Sequence, residues 1–138
     1  MSLSDLVNSF PNNKGNLRKH NNMVARLNDY LQDNTDVLRT YLHFEMGEDS
    51  LFGMLKVGEI DLLAIYEDKI EIYEVKSKDK WSARMKARYQ LKKAYNFVTR
   101  NMVGCNIDLI YVAPGHISRL VETVEVDEFN WIDAGEKP

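Results

Sequence analysis

The sequence predicts an α/β fold in which a mixed central sheet is flanked by helices. Two neighbouring segments, 59–66 and 69–76, carry apolar residues on both faces, as strands that are covered on both sides do. A long helical segment over 79–101 follows them, and an apolar run over 107–113 comes next. This order, in a chain of 138 residues, is typical of a single α/β domain spanning residues 1–138.

The segments before this core predict one helix and two shorter strands. Residues 37–45 alternate and are rich in Val, Leu, Thr, Tyr and Phe, which indicates a strand. Residues 47–50 predict a turn, and residues 51–56 predict a further short strand. Residues 16–32 predict a helix, because apolar residues recur there at helical spacing: Leu17, Met23, Val24, Leu27, Tyr30 and Leu31.

The two central strands form a hairpin around a tight turn at Glu67 and Asp68. Pairing through that turn places Lys69 opposite Tyr66 and Glu74 opposite Asp61. Three charged side chains of these apolar strands, those of Asp61, Glu74 and Lys76, are therefore expected to meet at one end of the sheet.

The long helix is expected to pack on the sheet, and strand 107–113 is expected to return parallel to 69–76. Residues 121–126 predict a last strand, Trp131 is expected to cap the core, and residues 133–138 are expected to form a flexible tail. The packed face of the helix consists of Ala83, Ala87, Leu91, Ala94, Val98 and Met102.

The charges are unevenly distributed although the net charge is only −3. Residues 76–100 hold nine basic side chains and one acidic side chain, whereas residues 41–75 hold two basic and nine acidic. A local cationic patch, rather than the total charge, is what phosphate binding requires. The chain has no membrane-length apolar run and no signal-peptide pattern, and we expect a cytoplasmic protein in which the lone Cys105 is buried.

Two carboxylates and a lysine at a strand end are the parts of a metal-dependent hydrolytic site. Burying Asp61 and Glu74 together is costly unless a cation offsets their repulsion. A divalent cation polarises a phosphodiester and lowers the pKa of a bound water. The ammonium group of Lys76 can orient that water or stabilise the transition state. The alternative is a structural ion pair between Glu74 and Lys76.

At these residues the sequence resembles the PD-(D/E)xK nuclease superfamily. It looks most like the archaeal-type (Hjc-like) Holliday junction resolvases and is also similar to the YraN-type presumed nucleases. The resemblance implies a restriction-endonuclease-like core, with Mg²⁺ or Mn²⁺ held by Asp61, Glu74 and the Val75 carbonyl. The match consists of Gly58-Glu59-Ile60-Asp61, twelve intervening residues, and Glu74-Val75-Lys76-Ser77.

The resemblance also implies supporting residues in the site. Gln90 matches a glutamine that the family often carries on the helix after the active strand, and Ser50 matches a serine in the loop before the aspartate. The family usually has a glutamate on the first helix, and this chain has none. Asn22, or its neighbour Asn21, stands at that place, and Glu59, which shares the strand parity of Asp61, can supply the missing charge. Glu45 is the other alternative.

The residues expected to bind DNA lie on the two main helices and, for Lys78, just before the second of them. Residues 84, 88 and 92 form a stripe at helical spacing. His20, His43 and His116 lack metal-ligand spacing and are expected to be structural, and Tyr89 and Tyr95 are expected to pack rather than stack on bases. The predicted DNA-binding set is Lys78, Lys80, Arg84, Arg88, Lys92, Arg18 and Lys19.

The expected function is hydrolysis of DNA phosphodiester bonds, most specifically resolution of four-way junctions by a homodimer with two active sites. The candidate dimer surface is either strand 107–113 with its neighbours or the C-terminal segment around Phe129 and Trp131. The alternatives are another PD-(D/E)xK DNA nuclease of repair or restriction type and a non-catalytic DNA-binding module on a decayed nuclease fold. A further alternative is a protein whose basic helix binds an acidic partner.

Overall fold

A computed structural model describes residues 1–12, 15–51, 53–102, 104–123 and 128–133. No helix in these ranges is long and apolar enough to cross a membrane. The helices and strands follow one another along the chain as α1 (Leu3–Ser9), α2 (Leu17–Asn34), β1 (Arg39–Ser50), β2 (Gly53–Ile65), β3 (Lys69–Val75), α3 (Trp81–Asn101), β4 (Asn106–Ala113), β5 (His116–Thr123) and β6 (Glu128–Asp133).

The predicted mixed sheet is confirmed. Six strands lie side by side in the order β1-β2-β3-β4-β5-β6, and β4 runs parallel to β3 whereas the other neighbours are antiparallel. Helix α3 supplies the crossover that a parallel pair needs. Helices α1 and α2 pack on one face of the sheet and α3 packs on the other.

The predicted register of the central hairpin is also confirmed. Leu62 pairs with Tyr73 and Leu63 with Ile72, and the Tyr66 amide donates to the Lys69 carbonyl at 2.9 Å. The expected face of α3 is buried from Ala83 to Val98, but Met102 is 41% exposed because the helix ends before it.

The segments before the core differ from the prediction. Residues 47–50 are not a turn, because β1 continues through them and pairs with β2 as one long hairpin, with a register shift between Met46 and Gly47. Helix α1 was not predicted. Its capping box joins Ser2 and Asp5, and it buries Leu6 and Val7 in the core.

The C-terminal predictions are corrected in part. The strand expected at 121–126 begins earlier, at His116, and residues 124–126 lie outside the described residues. Asp133 belongs to β6 rather than to a tail, and residues 134–138 lie outside the described residues. Cys105 is exposed, not buried, because it lies just before β4.

Strand 107–113 is not a free dimer surface. As β4 it lies between β3 and β5, and its residues from Leu109 to Ala113 are buried within the monomer. Trp131 is half-buried and packs on Tyr111 with ring centroids 5.5 Å apart, as expected of a residue that caps the core. The side chain of Phe129 lies outside the described residues.

Candidate active site

Two buried carboxylates lie side by side where β2 and β3 reach the end of their pairing. Asp61 is 7% exposed and Glu74 is 4% exposed. A carboxylate oxygen of Asp61 accepts a hydrogen bond from the Val75 amide at 2.8 Å, which fixes Asp61 against the neighbouring strand. Burial, and next the adjacent charge of Asp61, raise the pKa of Glu74 well above its ordinary value. A negative charge on Glu74 is therefore unfavourable beside Asp61.

The positive charge of Lys76 partly offsets this unfavourable interaction, and the Lys76 side chain is itself held in place. Its Nζ lies 3.4 Å from a Glu74 oxygen and donates to the Gln90 side-chain oxygen at 2.9 Å. Its backbone amide donates to the Val112 carbonyl on β4 at 2.9 Å. Gln90 can reach Lys76 because its neighbour Leu91 anchors α3 in the core. The structure thus brings together Asp61, Glu74, Lys76 and Gln90 as the sequence predicted.

The strand alternation breaks at Asp61. Leu62 packs on the α2 side of the sheet, whereas Ile60 packs with Leu63 on the α3 side. Regular alternation would place Ile60 and Leu62 on the same face. The pairs Leu42–Leu62 and Phe44–Ile60 flank the break, and His43 lies between them with a φ of 51°. A non-glycine residue at positive φ is strained, and such strain is concentrated at functional sites.

A second set of donors shares Asp61. Ligand atoms of His43, Glu59 and Asp61 lie within 4.8 Å of one another and could hold a metal ion. Glu59 thus lies beside Asp61, as predicted, although the alternation of the strand is broken at Asp61. Asn22, which the resemblance assigns to the metal shell, does not reach the site. It is exposed and lines a different groove with Phe10 and Arg26. It does so because α2 turns its neighbour Met23 into the core instead.

The residue of α2 that does reach Asp61 is His20, for which the sequence predicts only a structural role. Its Nε2 lies 3.3 Å from an Asp61 oxygen. The hydrogen bond to Asp61 raises the pKa of His20, against the opposing effect of burial. The available signal was helical spacing, since His20 lies four residues before the buried Val24 and shares its face.

Ser50 is not brought to the site. It lies at the far end of the β1–β2 hairpin, pairs with Gly53, and donates to the Gly53 carbonyl at 2.6 Å. At roughly 3.3 Å per residue, the eight positions between Gly53 and Asp61 span about 26 Å. The prediction failed because the loop expected before the aspartate is a continuous strand. Val75 is buried beside the site and could offer its carbonyl as a further oxygen.

A cationic cleft, here called the basic cleft, opens beside Lys76. It has a volume of about 460 Å³. The N-cap of α3 is Lys80, without a side-chain capping bond, and the first turn has no acidic residue. The amide dipoles at this helix end add to the positive potential, which favours a bound anion such as phosphate. The cleft is lined by Gly15, Asn16, Lys76, Ser77, Lys78, Lys80, Ser82, Ala83 and Lys86.

The start of α2 extends the cationic surface. Gly15 approaches Ser77 so closely that a side chain at position 15 would overlap the serine hydroxyl. Loss of hydration and then the charge of Lys78 lower the pKa of Lys19, which places these two predicted DNA-binding residues near each other. Arg18 and Lys19 line an adjoining groove on α2 together with Asn16.

The predicted stripe on α3 does not line the basic cleft. Arg84 is held in a paired hydrogen bond by Asp79, with both N–O distances at 2.9 Å. Asp79 also accepts from the Tyr111 hydroxyl at 2.8 Å, so that Arg84 belongs to a structural network. Arg88 and Lys92 are half-buried and are not among the residues lining the basic cleft. Lys86 lines it in their place.

The assembled groups fit a divalent cation. Burial, and next the adjoining charge of Asp61, raise the pKa of Glu74, and a cation beside the two carboxylates would relieve both effects. Carboxylate and carbonyl oxygens suit Mg²⁺ and Mn²⁺, whereas imidazole donors such as His43 suit later transition metals.

No protein-family model matches the chain, and a comparison with curated proteins finds no significant match.

Proposed function

We propose that the protein is a metal-dependent DNA endonuclease with a restriction-endonuclease-like core, acting as a structure-selective Holliday junction resolvase. The observation that carries the proposal is the burial of Asp61 and Glu74 side by side, with Lys76 held next to them by Gln90. The PD-(D/E)xK resemblance supports DNA as the substrate. The basic cleft supports a polyanion at this end of the sheet.

The reaction is hydrolysis of a phosphodiester. A water oxygen forms a bond to phosphorus, the bond from phosphorus to one sugar oxygen breaks, and that oxygen takes a proton. Asp61 and Glu74 would hold Mg²⁺ or Mn²⁺, which supplies Lewis-acid stabilisation of phosphate charge. The Lys76 ammonium orients the attacking water, and Gln90 keeps that ammonium in place. Lysines of the basic cleft bind the flanking phosphates.

Resolution of a junction needs two active sites, so the proposal includes a homodimer. The exposed apolar residues at the outer end of the β1–β2 hairpin support a contact there. Leu51 is fully exposed, Met54 is 68% exposed and Leu55 is 54% exposed. We call this segment the hairpin tip, and it replaces β4 as the candidate surface.

The test is cleavage of a labelled synthetic four-way junction beside a linear duplex of the same sequence. Each substrate is incubated with Mg²⁺, Mn²⁺ or EDTA. We expect paired symmetric nicks on the junction alone, lost in EDTA. Cleavage of both substrates would keep the nuclease and contradict junction selectivity. If neither substrate is cleaved despite tight DNA binding, the proposal that the protein is an enzyme is contradicted.

One observation favours a second candidate, a non-catalytic DNA-binding module. His20 of α2 stands 3.3 Å from Asp61, and the first helix lacks the glutamate that the nuclease family usually carries there. Protonated His20 places a positive charge against the Asp61 carboxylate, in the role that a metal ion has in the nuclease. Calorimetric titration with Mn²⁺ separates the two candidates, because only the nuclease requires a bound divalent cation.

A further inference from the structure

Helix α3 carries a row of exposed apolar side chains on the face beside the active site. Trp81 is 77% exposed, Met85 is 41% exposed and Tyr89 is 68% exposed. They lie four residues apart and therefore on one stripe of the helix, here called the exposed row. The sequence-based expectation that Tyr89 packs in the core is wrong, whereas Tyr95 does pack against the core.

The exposed row borders an open groove that reaches the active site. This groove, here called the apolar groove, has a volume of about 470 Å³, within the range of roughly 300–1,000 Å³ typical of small-ligand sites. Two of its lining residues belong to the site already described, namely Glu59 of the metal-donor set and Gln90, the partner of Lys76. The groove is lined by Met46, Gly58, Glu59, Met85, Lys86, Tyr89, Gln90 and Lys93.

The same groove is bordered by cations. Lys86 lines both the apolar groove and the basic cleft, and Lys93 lies one turn beyond Tyr89. A ligand that spans both grooves needs flat apolar groups on one side and phosphates on the other. Unpaired nucleotides have this chemistry, since every base presents a face for stacking. Bases inside a regular duplex are stacked on each other and cannot offer that face.

We propose that the exposed row and the apolar groove bind unpaired DNA bases next to the cleaved phosphodiester, so that locally opened strands are selected over regular duplex. The inference rests on the proposed function for the position of the cleaved bond. A second copy of this chain is disfavoured as the occupant, because the cations around the row would face each other across such a contact.

The test is DNA binding in EDTA, which separates binding from cleavage. Fluorescence anisotropy compares a junction with unpaired bases at its branch point and a regular duplex of equal length. We expect Trp81→Ala and Tyr89→Ala each to weaken binding to the open junction by about tenfold, the loss typical of one stacked base, and to change duplex binding less than twofold. Tyr89→Phe keeps the ring and should bind as wild type.

Two controls distinguish stacking from general effects. Lys86→Ala should weaken binding to both substrates alike, because phosphate contacts are independent of base pairing. Leu17→Ala, which removes a side chain 74% exposed on α2, should change neither. Equal losses on both substrates for Trp81→Ala and Tyr89→Ala would overturn the inference, as would no loss on either.

Trp81 also provides a direct signal. Its indole emission should be quenched by a short oligothymidine in EDTA, and the quenching should disappear in Trp81→Phe, which retains the half-buried Trp131. Quenching that persists in Trp81→Phe would contradict stacking at this position. Selective binding without any cleavage would overturn the proposed function and leave the present inference standing. Metal-dependent cleavage of the junction alone, with equal binding losses on both substrates, would keep the proposed function and overturn the present inference.

Discussion

At the residue scale, the orientation of Lys76 depends on one contact that can be removed without changing the carboxylates. We expect Gln90→Ala to lower the cleavage rate by about 10- to 100-fold, because a supporting hydrogen bond of a reactive group is lost. Lys76→Ala should cost about 10²–10³-fold. The double variant should be no slower than Lys76→Ala, since Gln90 acts through that lysine. Single-turnover kinetics give all three rates.

Additive losses in that cycle would contradict the positioning role of Gln90. A useful control is Arg100→Ala on the same helix, whose guanidinium pairs with Glu48 instead of facing the site. It should leave the cleavage rate unchanged.

Glu74 predicts a pH dependence of the metal-free protein. The pKa of Glu74 in the folded protein lies above its ordinary value of 4.5. Its contribution to the free energy of unfolding is therefore fully present below about pH 4.5 and is lost as the pH rises through the folded-state pKa. We expect Glu74→Gln to raise the Tm in EDTA at pH 8, by about 4 °C for each kcal/mol added to the free energy of unfolding. At pH 4.5 the substitution should change the Tm little.

The control for that melting experiment is Glu67→Gln, an exposed turn residue that should have no effect at either pH. A lower Tm for Glu74→Gln at pH 8 would mean that the contact with Lys76 outweighs burial and the charge of Asp61.

Much of the candidate site followed from the sequence, because register depends only on the hairpin turn. The two-residue turn at Glu67 and Asp68 fixes a register that runs to the pair Leu62–Tyr73. Asp61 and Glu74 come next along it, and strand parity then adds Lys76. His43 could not be placed in this way. Its contact with Glu59 depends on a backbone irregularity that interrupts β1–β2 pairing, and no periodicity in the sequence signals it.

At the element scale, the residues that begin α3 lower the stability of that helix. A cation at the N-cap opposes the helix dipole, and Lys80 makes no side-chain cap bond. We expect Lys80→Asp to stabilise the protein by about 0.5–2 kcal/mol, since aspartate is a preferred N-cap residue. The same change should weaken DNA binding, because it reverses a charge in the basic cleft.

Lys80→Ala separates these two effects. It removes the cation without adding a cap, so DNA binding should fall while the free energy of unfolding from urea titration stays nearly constant. Tighter DNA binding by Lys80→Asp would contradict the assignment of the basic cleft to phosphate.

The elements that the sequence misplaced were those whose extent depends on tertiary pairing. The residues at 47–50 have turn-forming character, yet they are held in β1 by pairing with β2. Helix α1 is only seven residues long, too short to be stable alone, and it forms because Leu6 and Val7 pack in the core. Long periodic segments such as α3 were predictable because their own pattern decides their structure.

At the scale of the whole molecule, the hairpin tip predicts how two copies associate. Exposed Leu51, Met54 and Leu55 leave apolar area that a partner would cover. We expect Met54→Ser/Leu55→Ser to shift a dimer to monomer in sedimentation velocity and to remove the dependence of the melting temperature on protein concentration. Leu17→Ser, at an exposed apolar site on α2, is the matched control and should leave association intact. A wild-type protein that sediments as a monomer even with junction DNA would contradict a dimeric resolvase.

The most direct test of the central claim compares cleavage and binding in two nearly isosteric variants, Asp61→Asn and Glu74→Gln. Both retain the shape of the site and remove one carboxylate each. In Mn²⁺ we expect cleavage of the four-way junction to fall to background in both, with junction affinity within about threefold of wild type. Cleavage retained by either variant would contradict the assignment of Asp61 and Glu74 as the metal-binding pair of a nuclease.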